Sequence, residues 1–247
     1  MHIFALIPAR YASTRLPGKP LVSICGKPMI QHVFERAVNC PSVERVVVAT
    51  DDLRIMEAVK TFGGNCVLTG ADHQSGTDRL AEAALTLGLA EDDIIVNIQG
   101  DEPLLDPAMI EVLIEALKSS PDCEMATLAF PSTNKEDFFN PNVAKVVVDE
   151  NGKALYFSRS PIPFPRDRQT GKPAFLKHLG FYAYRRRFLT EFTKLPAGKL
   201  EQIEKLEQLR ALENGLPVRV ALSPADSESV DTPADLQRVL ALMGCSG

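Results

Sequence analysis

Short apolar runs alternate with amphipathic segments along the first half of the chain. Ile3 to Ile7, Val46 to Ala49 and Ile94 to Ile98 have the length and composition of strands that are buried on both faces. The segments between them carry apolar residues at helical spacing, for example Ile30 and Val33. Parallel strands need long crossover connections, and helices usually provide them. The pattern therefore predicts an α/β fold with a mostly parallel, doubly wound sheet.

In the second half, strand-like segments follow one another with shorter connections. Met125 to Phe130, Val143 to Val148 and Ala154 to Ser158 are predicted strands. The pair Asn151-Gly152 between the last two is a strong signal for a β-hairpin, because both residues tolerate the backbone of a tight turn. We therefore expect a smaller α+β lobe that carries a hairpin and spans residues 126–214.

This lobe interrupts an α/β core made of residues 1–125 and 215–247. Within the lobe, Lys177 to Tyr184 is a predicted strand, whose period of two places His178 and Tyr182 on the same face. That face can hold a polar ligand. A hydrogen-bonded histidine beside a buried tyrosine in the core is the more common explanation for such a pair.

The segment Leu200 to Asn214 is expected to form a single helix that ends at Gly215. Its inward positions are Ile203, Leu206, Leu209 and Leu212. Glu201 and Lys205 lie four residues apart, so we expect an ion pair between them on the helix surface. This pattern alone assigns no role to the neighbouring Glu207 and Gln208.

Composition and charge exclude several classes of function. The 247-residue chain has a net charge of -5 and a pI near 5.5, which argues against binding to nucleic acids or anionic membranes. Its apolar runs are too short for a membrane helix, and no leader precedes the first strand, so we expect a cytoplasmic protein. Five scattered cysteines without a Cys-x-x-Cys pair predict thiols in a reducing compartment and argue against a zinc site.

The loop after the first strand is the first candidate for chemistry. Arg10, Arg15 and Lys19 stand among small residues and prolines, directly after a strand that ends at Pro8. Three cations at this place suggest a cradle for a polyanion, above all a nucleoside triphosphate. From this stretch alone, a solvated surface loop is an equally good explanation.

Two aspartates have no structural role in the predicted elements. Asp101 follows the strand Ile94 to Ile98, and Asp106 can already cap the next helix. Asp231 precedes the last helix, for which Thr232 makes a good cap. Cations together with carboxylates that can hold Mg²⁺ are the parts that nucleotidyl transfer requires. The alternative for an Asp after a strand is a turn residue, which is the more common finding.

A further loop, Ser75-Gly76-Thr77, leads into a helix. Either hydroxyl can serve simply as the N-cap, but a loop of small residues also allows backbone groups to approach a flat ring.

Other sequence motifs for nucleotide binding or for a catalytic nucleophile do not fit. Pro20 follows Gly18-Lys19 where a Walker A motif needs Ser or Thr, and neither Gly-x-Gly-x-x-Gly nor Gly-x-Ser-x-Gly occurs.

Taken together, these segments resemble the 3-deoxy-manno-octulosonate (Kdo) cytidylyltransferases, or CMP-Kdo synthetases, over essentially the whole chain. The first loop alone also fits CMP-acylneuraminate synthetases, and the His-Leu-Gly, Leu-Glu-Gln-Leu-Arg and Val-Asp-Thr-Pro segments narrow the resemblance to the Kdo branch. The segments that carry it are Ile7 to Leu21, Ser75 to Arg79, Asn97 to Pro103, Ala154 to Arg159, Lys177 to Gly180, Leu206 to Arg210 and Val230 to Pro233.

The resemblance implies a fold like that of the nucleotide-diphospho-sugar transferases, with a nucleotide-binding core and a lobe for sugar binding and dimerisation. It implies that CTP and Kdo give CMP-Kdo and pyrophosphate, for lipopolysaccharide biosynthesis, with Mg²⁺ as cofactor and a homodimer as the assembly. The same chemistry on 8-amino-8-deoxy-Kdo or N-acetylneuraminate is the alternative within enzymes. A non-catalytic nucleotide-binding protein on the same scaffold is the alternative from another class.

The resemblance also assigns the site residues. Its catalytic residues are Arg10, Lys19, Asp101 and Asp231, of which Asp101 and Asp231 hold the metal. Its CTP-binding residues are Pro8, Ala9, Arg10, Arg15, Lys19, Ala71, Ser75, Gly76, Arg79 and Asp101. Its sugar-binding residues are Gln99, Arg159, Arg166, His178, Tyr182, Glu207 and Gln208.

Overall fold

The computed structural model describes residues 1–12, 16–166 and 174–245, so that Arg15 of the predicted cation loop lies outside the described residues. The strands are β1 (Ile3–Ala9), β2 (Ser23–Ile24), β3 (Lys27–Pro28), β4 (Arg45–Thr50), β5 (Asn65–Leu68), β6 (Ile94–Asn97), β7 (Met125–Ser132), β8 (Lys145–Val148), β9 (Ala154–Ser158), β10 (Phe175–Arg185) and β11 (Val218–Leu222). The α-helices are α1 (Met29–Val38), α2 (Leu53–Thr61), α3 (Gly76–Thr86), α4 (Pro107–Lys118), α5 (Lys135–Phe139), α6 (Arg186–Phe192), α7 (Lys199–Glu204), α8 (Leu209–Glu213) and α9 (Pro233–Leu242).

One large sheet contains all of these strands except the short β2–β3 pair. Its order is β11-β7-β10-β6-β1-β4-β5, and β8 and β9 extend it from β10 as a hairpin. β5, β4, β1 and β6 are parallel neighbours, as are β7 and β11. β10 runs antiparallel to both β6 and β7. This mostly parallel sheet with crossover helices confirms the predicted α/β fold class.

The sheet is buried on both faces, as the apolar runs indicate. Along β1, Ile7 belongs to a core cluster that includes Ile30 of α1 and Ile110 of α4. Its neighbour Leu6 points to the opposite face and belongs to a cluster that includes Leu80 of α3. Since successive strand residues face opposite sides, an uninterrupted apolar run is what a strand between two helix layers requires.

Strands from the predicted lobe take part in the central sheet. β10 and all of β7 except its first residue lie within residues 126–214, and β10 is hydrogen-bonded to β6 of the core, with Tyr182 opposite Asn97. The β8–β9 hairpin projects from this shared sheet, and its turn contains the predicted Asn151-Gly152, with Gly152 at a φ of +74°. The division of the chain at 125/126 and 214/215 stays a prediction.

The single helix predicted from Leu200 to Asn214 is wrong. The structure has two short helices, α7 and α8, because Lys205 adopts a left-handed backbone with a φ of +53°. Ile203, an expected inward position, is 77% exposed. Glu201 pairs with Arg210 at 2.6 Å rather than with Lys205, since the turn brings the planar guanidinium against its carboxylate.

The cysteine prediction is wrong for two residues. Cys25, after β2, and Cys245, after α9, form a disulfide with a Cα–Cα distance of 5.6 Å, whereas Cys40, Cys66 and Cys123 are free. The bond joins segments 220 residues apart in sequence. None of the helices formed by the described residues combines the length and the apolar character needed to span a bilayer.

Candidate active site

The candidate site lies where the carboxyl ends of β1 and β6 meet the start of α3. Gly100 approaches β1 so closely that a Cβ on it would lie 3.2 Å from the carbonyl oxygen of Pro8. A Cβ on Gly76, the first residue of α3, would lie 3.4 Å from the Pro8 side chain. The buried Ala9 completes the end of β1. Small residues therefore let three predicted segments converge on Pro8.

The cation loop leaves β1 at Arg10, whose side chain is exposed. The loop is closed by a contact between Tyr11 and Gly18, where the Gly18 amide donates to the Tyr11 carbonyl at 3.2 Å. Gly18 has a φ of +67°, and a Cβ there would lie 3.1 Å from the Tyr11 ring, so only glycine fits. Lys19 follows at the start of a 3₁₀ turn, Lys19–Leu21, which fixes its backbone.

Lys19 joins the two predicted spare aspartates. Its Nζ lies 2.5 Å from Oδ2 of Asp101 and 2.9 Å from Oδ1 of Asp231. The Val230 amide donates to the Asp101 carbonyl at 2.9 Å, which holds the segment before α9 beside the end of β6. Burial lowers the pKa of Lys19, but the two carboxylates outweigh it and raise the pKa above its ordinary value. Lys19 is therefore a permanent cation at neutral pH.

The same two carboxylates fit a magnesium site. Both lie within reach of one Nζ atom, so one cation can contact them together, and carboxylate oxygens are the ligands that Mg²⁺ prefers. Among the described residues, no group of three or more His, Cys, Asp or Glu side chains forms a metal cluster. Phosphate oxygens and water would have to supply the remaining ligands, which is usual for Mg²⁺.

The caps that left these aspartates unassigned are confirmed. Asp106 accepts from the Ala108 amide at 2.9 Å at the start of α4. Thr232 caps α9 in a capping box with Asp235. Asp101 is thus free of any capping role, as the sequence indicates.

Glu102, directly after Asp101, is a site neighbour that the sequence does not reveal. It is buried, and its Oε1 accepts from the Ser227 hydroxyl at 2.9 Å, while Oε2 has no partner among the described residues. Burial and the neighbouring Asp101 raise the pKa of Glu102 to about 8. The sequence shows two adjacent carboxylates, but which of them turns inward depends on the packing of the loop.

The loop before α3 is held by a confirmed cap and by a buried arginine. Ser75 caps α3 in a capping box with Asp78. Arg79 is buried, and its guanidinium contacts the Thr69 hydroxyl at 2.6 Å and the Asp51 carboxylate at 3.2 Å. The side chain of Arg79 therefore holds the loop that contains the exposed Ala71 against the end of β4.

Thr77 connects this loop to the lobe. Its hydroxyl is buried and donates to Oε2 of Glu207, in the turn between α7 and α8. Burial raises the pKa of Glu207, and hydrogen bonds from Thr77 and Ser75 partly oppose the shift. The sequence shows the hydroxyl only as a possible cap, because the partner is 130 residues away. The adjacent Gln208 is buried, and its Nε2 has no partner among the described residues.

His178 and Tyr182 share a face of β10, as the alternation predicts. Their ring centroids are 5.6 Å apart, and burial lowers the pKa of His178 to about 3. The Thr127 hydroxyl donates to the Phe181 carbonyl at 2.7 Å, so it accepts from Nε2 of His178 at 3.0 Å. The Thr127 hydroxyl has only one proton to donate, so His178 must be the donor in their hydrogen bond. The imidazole of His178 is therefore neutral with its proton on Nε2. Nδ1 is left as an acceptor.

Gln99 reaches the same part of β10. Its Nε2 donates to the Gly180 carbonyl at 2.9 Å, beside the irregularity in the β10–β7 pairing between Leu179 and Tyr182. Gln99 lies two residues before Asp101, so this bond connects the strand that carries His178 with the segment that carries the spare aspartate.

The two arginines predicted at the sugar site differ in their surroundings. Arg159 donates from its guanidinium to the carbonyls of Glu204 at 2.6 Å, Pro141 at 2.8 Å and Lys205 at 3.2 Å. It therefore holds the turn that presents Glu207. Arg166 is exposed.

The structure thus brings most predicted site residues into one connected region. Lys19, Asp101 and Asp231 form its charged centre. Glu207 contacts the loop before α3, and Gln99 contacts β10. Arg10 and Arg166 are exposed, and the role of every one of these residues stays a prediction.

Comparison with known proteins identifies the relatives of this chain. Residues 4–222 match the family described as Cytidylyltransferase. The chain is 61% identical over 243 residues to the 3-deoxy-manno-octulosonate cytidylyltransferase of Syntrophobacter fumaroxidans, covering 98% of this chain and 97% of the relative. It is 53% identical over 239 residues to the 8-amino-3,8-dideoxy-manno-octulosonate cytidylyltransferase of Shewanella amazonensis, covering 96% and 97%.

Solved structures show the same relationship. The structure of CMP:2-keto-3-deoxy-manno-octonic acid synthetase complexed with CTP superposes with a TM-score of 0.92 at 47% identity, covering 99% of both chains. A 4-diphosphocytidyl-2C-methyl-D-erythritol synthase superposes with a TM-score of 0.65 at 17% identity, covering 98% of this chain and 99% of that one, which shows a shared fold alone.

Proposed function

The chain belongs to the cytidylyltransferase family, and we propose that it transfers the cytidylyl group of CTP to Kdo, giving CMP-Kdo and pyrophosphate for lipopolysaccharide biosynthesis. The observation that carries this proposal is the contact of Lys19 with both Asp101 and Asp231 at the ends of β1 and β6. In open α/β sheets, ligands bind outside the carboxyl ends of the strands. A cation and two carboxylates at that place suit a metal-bound triphosphate.

In the proposed reaction, the anomeric hydroxyl of the sugar attacks the α-phosphorus of CTP. A bond forms between the sugar oxygen and phosphorus, the bond to the β-phosphate oxygen breaks, and the hydroxyl proton is released. Lys19 and Arg10 contact the phosphate oxygens and stabilise the negative charge that develops on them. Arg15, which lies outside the described residues, is proposed to assist them. The loop from Ser75 to Arg79 surrounds the cytosine.

Asp101 and Asp231 are proposed to hold Mg²⁺. The ion, when bound, neutralises charge on the triphosphate and orients its oxygens. In the structure, the ammonium group of Lys19 stands between the same carboxylates. A protein cation therefore already offsets part of the negative charge of the two aspartates.

The sugar is proposed to bind along the face of β10 that carries His178 and Tyr182, with Gln99, Glu207 and Gln208 around it. The buried Gln208 amide with its unpartnered Nε2 supports this, because buried donors normally have acceptors. The neutral His178 offers Nδ1 as an acceptor for a sugar hydroxyl. Arg159 and Arg166 are the proposed cations for the Kdo carboxylate.

A substrate panel tests this function. Pyrophosphate release is measured with CTP, Mg²⁺ and either Kdo, 8-amino-8-deoxy-Kdo or N-acetylneuraminate. We expect turnover with Kdo, because the relative named for Kdo is 61% identical to this chain and the relative named for the 8-amino sugar is 53% identical. Turnover with N-acetylneuraminate alone would overturn the proposal.

The 8-amino sugar is the second candidate substrate, since a relative at 53% identity is named for it. The two sugars differ only at C8, so the comparison of their kcat/KM values measures that one substituent. A higher kcat/KM for the amino sugar would assign this chain to the second activity, without changing the chemistry at phosphorus.

We also propose that the protein is a cytoplasmic homodimer, joined through the lobe of residues 126–214. β9 pairs only with β8 among the described strands, and Leu155 on β9 is exposed, as are Phe164 and Ile203. Open strand edges and exposed apolar side chains are typical of subunit contacts. Sedimentation equilibrium is expected to give twice the chain mass of 27.0 kDa. A mass of one chain at micromolar concentration would contradict the dimer, and cell fractionation checks the compartment.

A further inference from the structure

Thr77 is the second residue of α3, yet its hydroxyl takes no part in capping that helix. The Ser75 hydroxyl accepts from the Asp78 amide at 3.1 Å, and the Asp78 carboxylate accepts from the Ser75 amide at 3.1 Å. This capping box satisfies the helix terminus without Thr77. Thr77 is nevertheless only 3% exposed and turns toward the lobe, where its hydroxyl donates to Glu207.

Glu207 depends on this donor. It follows the left-handed Lys205 in the turn between α7 and α8, and burial opposes its ionisation. A carboxylate that is largely removed from water needs hydrogen bonds to remain charged and fixed in position. Thr77 in α3 donates such a hydrogen bond to Glu207. Glu207 is half-buried, and a carboxylate has about four acceptor positions, so acceptor positions beyond the one that Thr77 occupies are available to a ligand.

We infer that Thr77 is a positioning residue for the sugar acid, because its hydroxyl holds the Glu207 carboxylate where that group accepts a hydrogen bond from a sugar hydroxyl. The inference rests on the proposed function. A hydroxyl has one proton, and that of Thr77 is donated to Glu207, so its side chain serves the sugar although its backbone belongs to the nucleotide loop. The loop that surrounds the nucleotide base and the turn that meets the sugar are thereby joined.

Two substitutions separate the hydroxyl from the shape of the side chain. Thr77→Val keeps the volume and removes the donor, whereas Thr77→Ser keeps the donor. In Thr77→Val we expect KM for Kdo to rise about tenfold, because one hydrogen bond to a charged group is lost. A tenfold change corresponds to about 1.4 kcal/mol of binding free energy. KM for CTP should change less than about twofold, because the backbone of the loop is retained. Thr77→Ser should restore KM for Kdo to within about threefold of wild type.

The pH profile provides a second measurement. Sugar binding needs the charged form of Glu207, so it weakens as the pH falls through the pKa of that group. Removing the Thr77 donor removes a hydrogen bond to the charged form, so the acid limb of kcat/KM for Kdo should move to higher pH in Thr77→Val. The other charged or titratable groups beside Glu207 are Asp78 on α3, Arg210 on α8, and Tyr182 and Tyr184 on β10. None of these residues is replaced in the variant, but Tyr184 loses its hydrogen bond with the Thr77 hydroxyl.

A double-mutant cycle with Glu207→Gln distinguishes an effect through Glu207 from a nonspecific disturbance of the protein structure. If Thr77 acts through Glu207, Thr77→Val should raise KM for Kdo little further once Glu207 is already replaced. Thr61→Val is the matched control, since that exposed hydroxyl on α2 bonds only its own helix, at the Glu57 carbonyl. It should leave both KM values unchanged.

Three results would overturn the inference. They are an unchanged KM for Kdo in Thr77→Val, an equal rise in KM for CTP and for Kdo, and additive effects in the cycle with Glu207→Gln. If Thr77→Val does not fold, as judged by thermal unfolding, Thr77→Ser and Thr77→Cys in the same cycle decide between the outcomes. Wild-type protein that turns over none of the three sugars would instead refute the proposed function, and the inference with it.

Discussion

Replacing both Asp101 and Asp231 by Asn is expected to lower kcat about 1,000-fold, while CTP still binds within about tenfold of wild type. The two carboxylates contact Lys19, at 2.5 and 2.9 Å from its Nζ, and together they can hold a cation against phosphate oxygens. Negative charge on these oxygens grows in the transition state, so the lost interaction matters more for turnover than for binding. Pyrophosphate release gives kcat, and calorimetric titration with CTP in the presence of Mg²⁺ gives binding.

Asp92→Asn is the matched control. This exposed aspartate lies away from the site and forms an ion pair with Arg187 at 2.6 Å. It should retain wild-type kcat. Turnover within about tenfold of wild type in the double variant would refute the assigned role of the aspartates. Wild-type protein that binds CTP but has no turnover would favour the non-catalytic nucleotide-binding alternative.

Replacing Lys19 by Met is expected to lower kcat by about 1,000-fold as well, for a different reason. The variant keeps the length of the side chain but removes the ammonium group that contacts both Asp101 and Asp231. Without it, two carboxylates face each other and the phosphate oxygens lose a donor. Because a guanidinium is planar and cannot replace a compact ammonium between two carboxylates, Lys19→Arg should recover less than about a tenth of the activity. Single-turnover measurement of CMP-Kdo formation isolates the chemical step.

Lys27→Met is a suitable comparison, since Lys27 makes an exposed ion pair with Glu35 at 2.7 Å. Exposed pairs of this kind contribute about 0–1 kcal/mol to stability, so this variant should fold and react normally. A Lys19→Met protein whose kcat matches that of Lys27→Met would show that Lys19 only balances the charge of the aspartates.

Central strands such as β1 were predictable because apolar residues cover both of their faces. β1 and β4 read as continuous apolar runs in the sequence, and the structure buries Ile7 and Leu6 on opposite faces of the sheet. The long helix was not predictable. The leucines of this segment have helical spacing, which is all that the local sequence shows. The helix is interrupted because Lys205 has a left-handed backbone, and Glu201 forms its ion pair with Arg210.

For the site, the sequence left two aspartates without a capping role, and the structure brings both to Lys19. Asp101 and Asp231 could be named because Asp106 and Thr232 fill the helix caps. Partners that come from distant segments could not be named. From the sequence, Thr77 could be a helix cap, and only the fold shows that its hydroxyl donates to Glu207. The same limit applies to the disulfide, which joins residues 220 positions apart.

The position of β10 restricts how this protein can move. The strand carries His178 and Tyr182, and it is hydrogen-bonded to β6 on one side and to β7 on the other. A hinge between residues 126–214 and the remainder would have to tear this ladder inside a buried sheet, where water cannot replace the lost hydrogen bonds. We therefore expect any closure to involve the loops and the β8–β9 hairpin, with the proposed nucleotide and sugar regions moving as one body.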